Sequence, residues 1–300
     1  MKFKKPITIL VLMIILLSLF ASVYGAIANG GPGQHTFTSI EGLTISIYGK
    51  GLYENDSVAM AVQARAQDVV TLCLGIPLLS LSLYLSRKNS LRGRLLLTGT
   101  LGYFLYTYAV YTFVAMYNSF FLVFVALMSL SFFAFVLAMM SFDVVAVKNA
   151  FSIKLPVLFI ATIMILLSVA VGMMWLGKIL PPLVNGTPTE GLEHYTTLVV
   201  QGIDLGIIIP VSILGAVLLI RKQPYGYLLT TVLYMKIITL LTALTAMIIG
   251  QALTGVSMGA AEIIIFPVFN LLAIYCLYLI LKNIILPVES GAVQANFNSK

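Results

Sequence analysis

Long apolar runs separated by short polar segments set the pattern of this chain. The first covers residues 6–26, behind Lys2, Lys4 and Lys5, and seven more cover 68–86, 95–117, 119–141, 155–176, 198–220, 226–250 and 262–281. An α-helix of about 20 residues crosses a hydrocarbon core of about 30 Å while satisfying its own backbone hydrogen bonds. The pattern therefore predicts an all-α polytopic transmembrane helical bundle of eight spans. Residues 1–25 also have the basic start, apolar stretch and small residues (Ser22, Gly25) of a signal peptide. Cleavage before Ala26 would leave seven spans; a retained anchor leaves eight, and the length of the run favours the anchor.

Between the runs, residues 27–67 form the largest polar segment. A Gly-Gly-Pro-Gly stretch from Gly30 to Gly33 opens it, and residues 43–48 alternate apolar and polar positions as in a short strand closed by Gly49-Lys50-Gly51. Asp56 and Ser57 are helix N-cap residues, and no breaker follows before Gly75 and Pro77, so one helix is expected to run from Ser57 through the second span. The segment 177–197, with Pro181-Pro182 and Asn185-Gly186, is expected to be a loop. The chain thus divides into an anchor or signal peptide (1–26), an extracytoplasmic segment (27–67), spans two to four (68–141), a cytoplasmic loop (142–154), spans five to eight (155–281) and a cytoplasmic tail (282–300).

Composition changes the picture only by excluding alternatives. With 60% hydrophobic and 9% charged residues and a mean hydropathy of +1.06, the chain is far from a soluble domain, in which about 25% of residues are charged. Charge then orients the spans. With the N-terminus in the cytoplasm, thirteen lysines and arginines fall on inner segments, among them Arg87, Lys88, Arg92, Arg94, Arg221 and Lys222. Only Lys50, Arg65 and Lys178 fall on outer ones. This positive-inside bias puts both termini in the cytoplasm and accounts for the net charge of +7 without nucleic acid.

An internal echo appears when residue i is set against i+133. Pro77 falls on Pro210, Gly93 on Gly226, Leu95-Leu96 on Leu228-Leu229 and Thr98 on Thr231. Eight spans of this kind suggest two four-helix halves of the same orientation, related by an axis along the membrane normal.

Few residues carry candidate chemistry. Ionisable groups inside a span cost about 2.5–3.5 kcal/mol each and face partners or wet cavities. Lys236 lies near the middle of the seventh span, and Asp204 lies in the sixth, roughly 10 Å nearer the outside. A direct pair would need tilt or something between them. Tyr103 and Tyr106 share a face of the third span, and Tyr103 stands opposite Lys236 in the proposed repeat. Asp68, beside Arg65, and Glu262 begin spans at the outer edge and read as the rim of an outer vestibule, or as wet helix-start carboxylates favoured by the dipole. His35 and His194 lie in loops, Cys73 and Cys276 are isolated, and no nucleophile, phosphate-binding or metal-binding motif is present. No catalytic residue, metal or cofactor is expected.

One block, from Tyr48-Gly-Lys-Gly-Leu-Tyr53 through Arg65-Ala-Gln-Asp68 and Arg92-Gly-Arg-Leu-Leu-Leu97 to Gly102-Tyr-Phe-Leu-Tyr-Thr-Tyr108, resembles prokaryotic multi-pass membrane proteins with no assigned activity. The resemblance implies a prokaryotic inner-membrane setting and no site residue. The functional expectation is a transporter-like or solute-handling protein with Asp204, Lys236, Tyr103 and Tyr106 as its polar centre. Its partners would be membrane lipid and a small solute or ion. The alternative is a membrane sensor or assembly protein acting through residues 27–67.

Overall fold

A computed structural model describes residues 2–189, 191–253 and 260–285, with the side chains of 260–262 left out. The side chain of Glu262 and the tail after 285 lie outside the described residues. In chain order the elements are α1 (Lys4–Ile27), a hairpin of β1 (His35–Thr38) and β2 (Thr44–Ile47), then α2 (Val58–Arg87), α3 (Leu91–Val114), α4 (Phe121–Met140) and the short α5 (Val144–Asn149). After these come α6 (Val157–Asn185), α7 (Val199–Ile220), α8 (Pro224–Leu253) and α9 (Ala260–Lys282). β1 and β2 are antiparallel, with His35 opposite Ile47 and Thr38 opposite Thr44.

Seven of these helices are long and apolar enough to cross a membrane: α1, α2, α4, α6, α7, α8 and α9. Large apolar side chains face outward on them, including Leu16, Leu122, Leu158, Leu214 and Leu271, all at least half exposed. Only a lipid environment makes that arrangement favourable. The protein is an all-α, multi-pass membrane bundle. α3, with 24 residues, is as long as the others but carries tyrosines and threonines because it is the interior helix. Tyr103, Tyr108, Thr98 and Thr100 are all 1% exposed or less.

Local sequence sets the boundaries. Ser57 caps α2, its hydroxyl accepting from Met60 N at 3.2 Å, and α2 then continues as one helical segment to Arg87, as the sequence predicts, with a single irregular turn at Thr71–Gly75. α6 differs from expectation. It continues through Pro181 and Pro182 to Asn185, and Gly186 at φ 64° ends it, donating to Pro182 O. Proline's fixed φ is helical, and the bonds it forfeits fall in an exposed last turn, where water can take the freed carbonyls.

The same devices recur 133 residues apart. Asn89 and Lys222 each turn the chain at positive φ (59° and 51°). Beyond each turn a glycine lets the following helix press on the preceding one. A Cβ at Gly93 would lie 2.5 Å from Leu85 Cβ, and one at Gly226 would lie 2.3 Å from Leu219 N. Buried apolar residues among those described form one cluster on α1–α4, with Leu79, Leu101 and Phe124, and another on α5–α9, with Ile160, Met164 and Ala216. α3 and α8 join them at Gly99, where a Cβ would stand 2.3 Å from Met235 Cβ. At the end of the bundle remote from the hairpin, Arg92 Nη2 of α3 donates to Ile284 O (2.8 Å), tying the two clusters together, while Ile285 N donates to Ala150 O (2.7 Å) within the second.

Candidate functional site

Two helices are broken in the same way. At Thr71–Gly75 in α2 and Asp204–Ile208 in α7 the chain widens by one residue into a π turn, and each is followed by Ile-Pro. Ile76 N donates to Thr71 O and Ile209 N to Asp204 O, five residues back. The wider turn accommodates Pro77 and Pro210, which could not sit in an unbroken α-helix without clash. Thr71 and Asp204 both point inward, 0% and 5% exposed.

Asp204 receives two hydrogen bonds, from Tyr106 OH to Oδ1 (2.9 Å) and from Trp175 Nε1 to Oδ2 (3.0 Å). Lys236 is 4% exposed, and its Nζ has no hydrogen-bond partner among the described residues. The ammonium instead stands 3.8 Å above the centre of the Tyr106 ring, a cation–π contact. Tyr106 therefore fills the gap between the acid and the base. Tyr103 turns the other way. Its hydroxyl accepts from Gln67 Nε2 (2.6 Å) and shares a proton with Thr71 Oγ1 (3.0 Å). Thr71 and Tyr103 are the positions 133 residues before Asp204 and Lys236, so the same two places hold a hydroxyl pair in one cluster and an acid–base pair in the other.

Asp204, Lys236, Tyr106 and Trp175 lie in the wall of a cavity of about 220 Å³. Val110, Val171, Leu240, Leu244, Met247 and Phe266 supply apolar wall, while Gln63, Gln67 and Ser212 add isolated polar groups. The cavity reaches Asp56, beside the hairpin. Along α8 it extends from Lys236 to Met247, about 16 Å at 1.5 Å per residue.

At that end a clasp joins the two clusters. Asp56 Oδ1 accepts from Met116 N (3.0 Å) and Tyr195 OH (3.0 Å); the Tyr195 hydroxyl in turn accepts from Ser57 N (3.2 Å). Asp56 is 3% exposed. Burial pushes its carboxyl up to about 6, against the opposing effect of these hydrogen bonds. Burial, followed by the neighbouring Asp56 charge, holds the Tyr195 phenol well above its ordinary value, so it remains a donor.

Of the residues expected at an outer rim, the described Asp68 and Arg65 do not line this cavity. Asp68 is 2% exposed, inside a separate polar cluster of the first half of the chain, and accepts from Tyr53 OH (2.6 Å) and Tyr111 OH (3.2 Å). Gly25 of α1 covers it so closely that a Cβ would stand 2.1 Å from Asp68 Oδ2. Arg65 is half-buried and points elsewhere, binding Tyr48 OH and Ala26 O (2.6 Å). The structure therefore brings together Asp204, Lys236 and Tyr106, and leaves Tyr103, Asp68 and Arg65 outside that group. Sequence reasoning missed Trp175, the only tryptophan, whose buried indole N–H must find an acceptor. It also missed the Asp56–Tyr195 clasp, for which no local signal exists. Among the described residues, no cluster of three or more histidine, cysteine or acidic side chains could hold a metal ion. Comparison with protein-family models, curated proteins and solved structures finds no match for this chain.

Proposed function

We propose that this is a solute-handling membrane protein that binds a small molecule between two four-helix repeats. The observation that carries the reading is a buried ammonium, Lys236, facing a cavity without a hydrogen-bond acceptor and set beside a buried carboxylate. Such groups are expensive in a membrane and are retained where they meet a ligand or ion. The broken turn of α7 at Asp204–Ile208 lines the cavity, and broken helices at a central cavity are the way transporters build such sites. The repeats are α1–α4 and α6–α9. They are supported by paired π turns, paired positive-φ turns and paired close-contact glycines at one spacing.

In this reading α3 also crosses the bilayer, giving eight spans with the hairpin end outside and the basic end in the cytoplasm of a prokaryotic cell. The Arg87–Arg94 and Arg221–Lys222 turns support that orientation. The burial of Ile7, Val11, Ile14 and Gly25 on the inner face of α1 supports the reading of this helix as a retained anchor. The test is flux of a panel of labelled small solutes across proteoliposome membranes. Lys236→Met and Asp204→Asn each abolish the flux that the wild type shows while leaving insertion intact. Wild-type-like flux in both variants refutes the assignment.

A further inference from the structure

The chemistry of the cavity narrows the class of solute, if the reading of the site above holds. Its polar end is unevenly satisfied. Asp204 already accepts two hydrogen bonds, one at each oxygen. Among the described residues Lys236 has three N–H donors and no acceptor; its charge lies on the Tyr106 face, with the Asp204 carboxylate on the far side of that tyrosine. The deficit is of hydrogen-bond acceptors at the ammonium. A cationic ligand would add a second positive charge beside it, and a neutral one would supply weak acceptors. A carboxylate supplies two strong ones in a place where charge-assisted bonds are strengthened by the absence of water.

The rest of the cavity is apolar. From Lys236 towards the hairpin end, Leu240, Leu244 and Met247 of α8 face Val110 of α3 and Phe266 of α9. Size sets the length of what fits. A dry cavity of about 150 Å³ holds benzene, six carbon atoms, so a cavity of about 220 Å³ takes about nine or ten non-hydrogen atoms. That excludes a two-chain phospholipid.

We infer that the ligand is an amphiphilic monocarboxylate of medium chain length, its carboxylate on Lys236 Nζ and its tail lying towards the clasp of Asp56 and Tyr195. The acid can come from the aqueous phase or from the lipid phase; the chemistry of the head is the same, and chain length separates the sources.

Trp175 reports directly, being the only tryptophan and bonded to Asp204 in the cavity wall. Its emission is followed in full-length protein in nanodiscs titrated with octanoate, 1-octanol and octylammonium, which share one chain and differ in charge. Octanoate binds saturably and at least tenfold more tightly than octanol, with octylammonium weakest. Lys236→Met removes the tenfold preference while octanol still binds saturably, which also shows that the variant is folded; Lys236→Arg keeps the preference. Asp204→Asn, by removing the nearby negative charge, holds or tightens octanoate.

Equal binding of octanol and octanoate by the wild type, or a preference that survives Lys236→Met, overturns the inference. Tightest binding by octylammonium, lost in Asp204→Asn, overturns the carboxylate class while leaving a solute site in place. No saturable response to any of the three, with wild-type-like flux in both variants, removes the site itself. Palmitate, the lipid-phase source of the same head, binds at least tenfold more weakly than octanoate; tighter binding by palmitate overturns the size assignment.

Discussion

Replacing Lys236 by methionine separates a structural from a functional role, because the two predict opposite signs. The ammonium is 4% exposed, without a hydrogen-bond acceptor, and compensated by the Tyr106 ring at 3.8 Å. A lysine near the middle of a span costs about 2.5–3.5 kcal/mol, and a desolvated cation–π contact returns about 0.5–2 kcal/mol. Methionine keeps most of the aliphatic stem that packs on Gly102 and removes the charge. The variant should therefore be more stable by about 0.5–3 kcal/mol, each kcal/mol raising Tm by about 2–4 °C.

Cys276 gives the assay. It is fully buried in α9, whereas Cys73 is exposed on the α2 span and is replaced by alanine beforehand. Labelling of Cys276 by a thiol-reactive dye during heating then follows unfolding. Asp204→Asn should move the other way, since it removes the charge opposite Lys236 and weakens the acceptor for Tyr106 and Trp175. A fall in Tm on Lys236→Met would refute the reasoning, since it would show that the lysine holds the bundle together. A gain in stability with loss of flux is the trade expected of a site kept for function.

Three further outcomes can be measured. Asp56 has its carboxyl at about 6 in the folded chain against an ordinary 3.8. The folded state therefore binds this proton more tightly, and stability rises as pH falls through 6 and levels off below about 4. The difference is about 3 kcal/mol, read as Tm against pH, and Asp56→Asn flattens the profile. Gly25→Ala drives a methyl group into Asp68 and Tyr53 and should cost about 2–4 kcal/mol through overpacking and loss of a buried hydrogen bond, visible in the same dye assay. Gly93→Ala and Gly226→Ala should cost similar amounts, about 1–3 kcal/mol each, because each places a methyl group against the preceding helix. A large cost at one and none at the other would count against equivalent halves.

Much of the scaffold was readable from the chain because lipid imposes length and apolarity on every exposed helix. The expected span at 198–220 is α7, Val199–Ile220, and that at 119–141 is α4, Phe121–Met140. Where the prediction slipped, at Pro181 and Pro182, a local breaker rule met a helix end free of neighbours. The site was legible in its charges and not in its geometry. Asp204 and Lys236 stand out because charge in a span is rare, but that Tyr106 lies between them depends on how α3 is rotated. Asp68 looked like a wet helix start because nothing local shows that Gly25, 43 residues earlier, lies over it. The repeat spacing was visible in prolines and glycines, yet the π turns before those prolines have no sequence signature of their own.

The polar character of α3 bears on how the protein is made. A segment this rich in tyrosine and threonine, opening with Arg92 and Arg94, has little reason to leave the translocation machinery for lipid by itself. Its tight turn with α2, closed by Asn89 and Ser90 and pressed together at Gly93, makes the two helices a ready hairpin. If α3 is the eighth span proposed above, it enters the bilayer in company with α2, and the hydroxyls of Tyr103 and Tyr111 already point at α2 when α4 and α8 arrive.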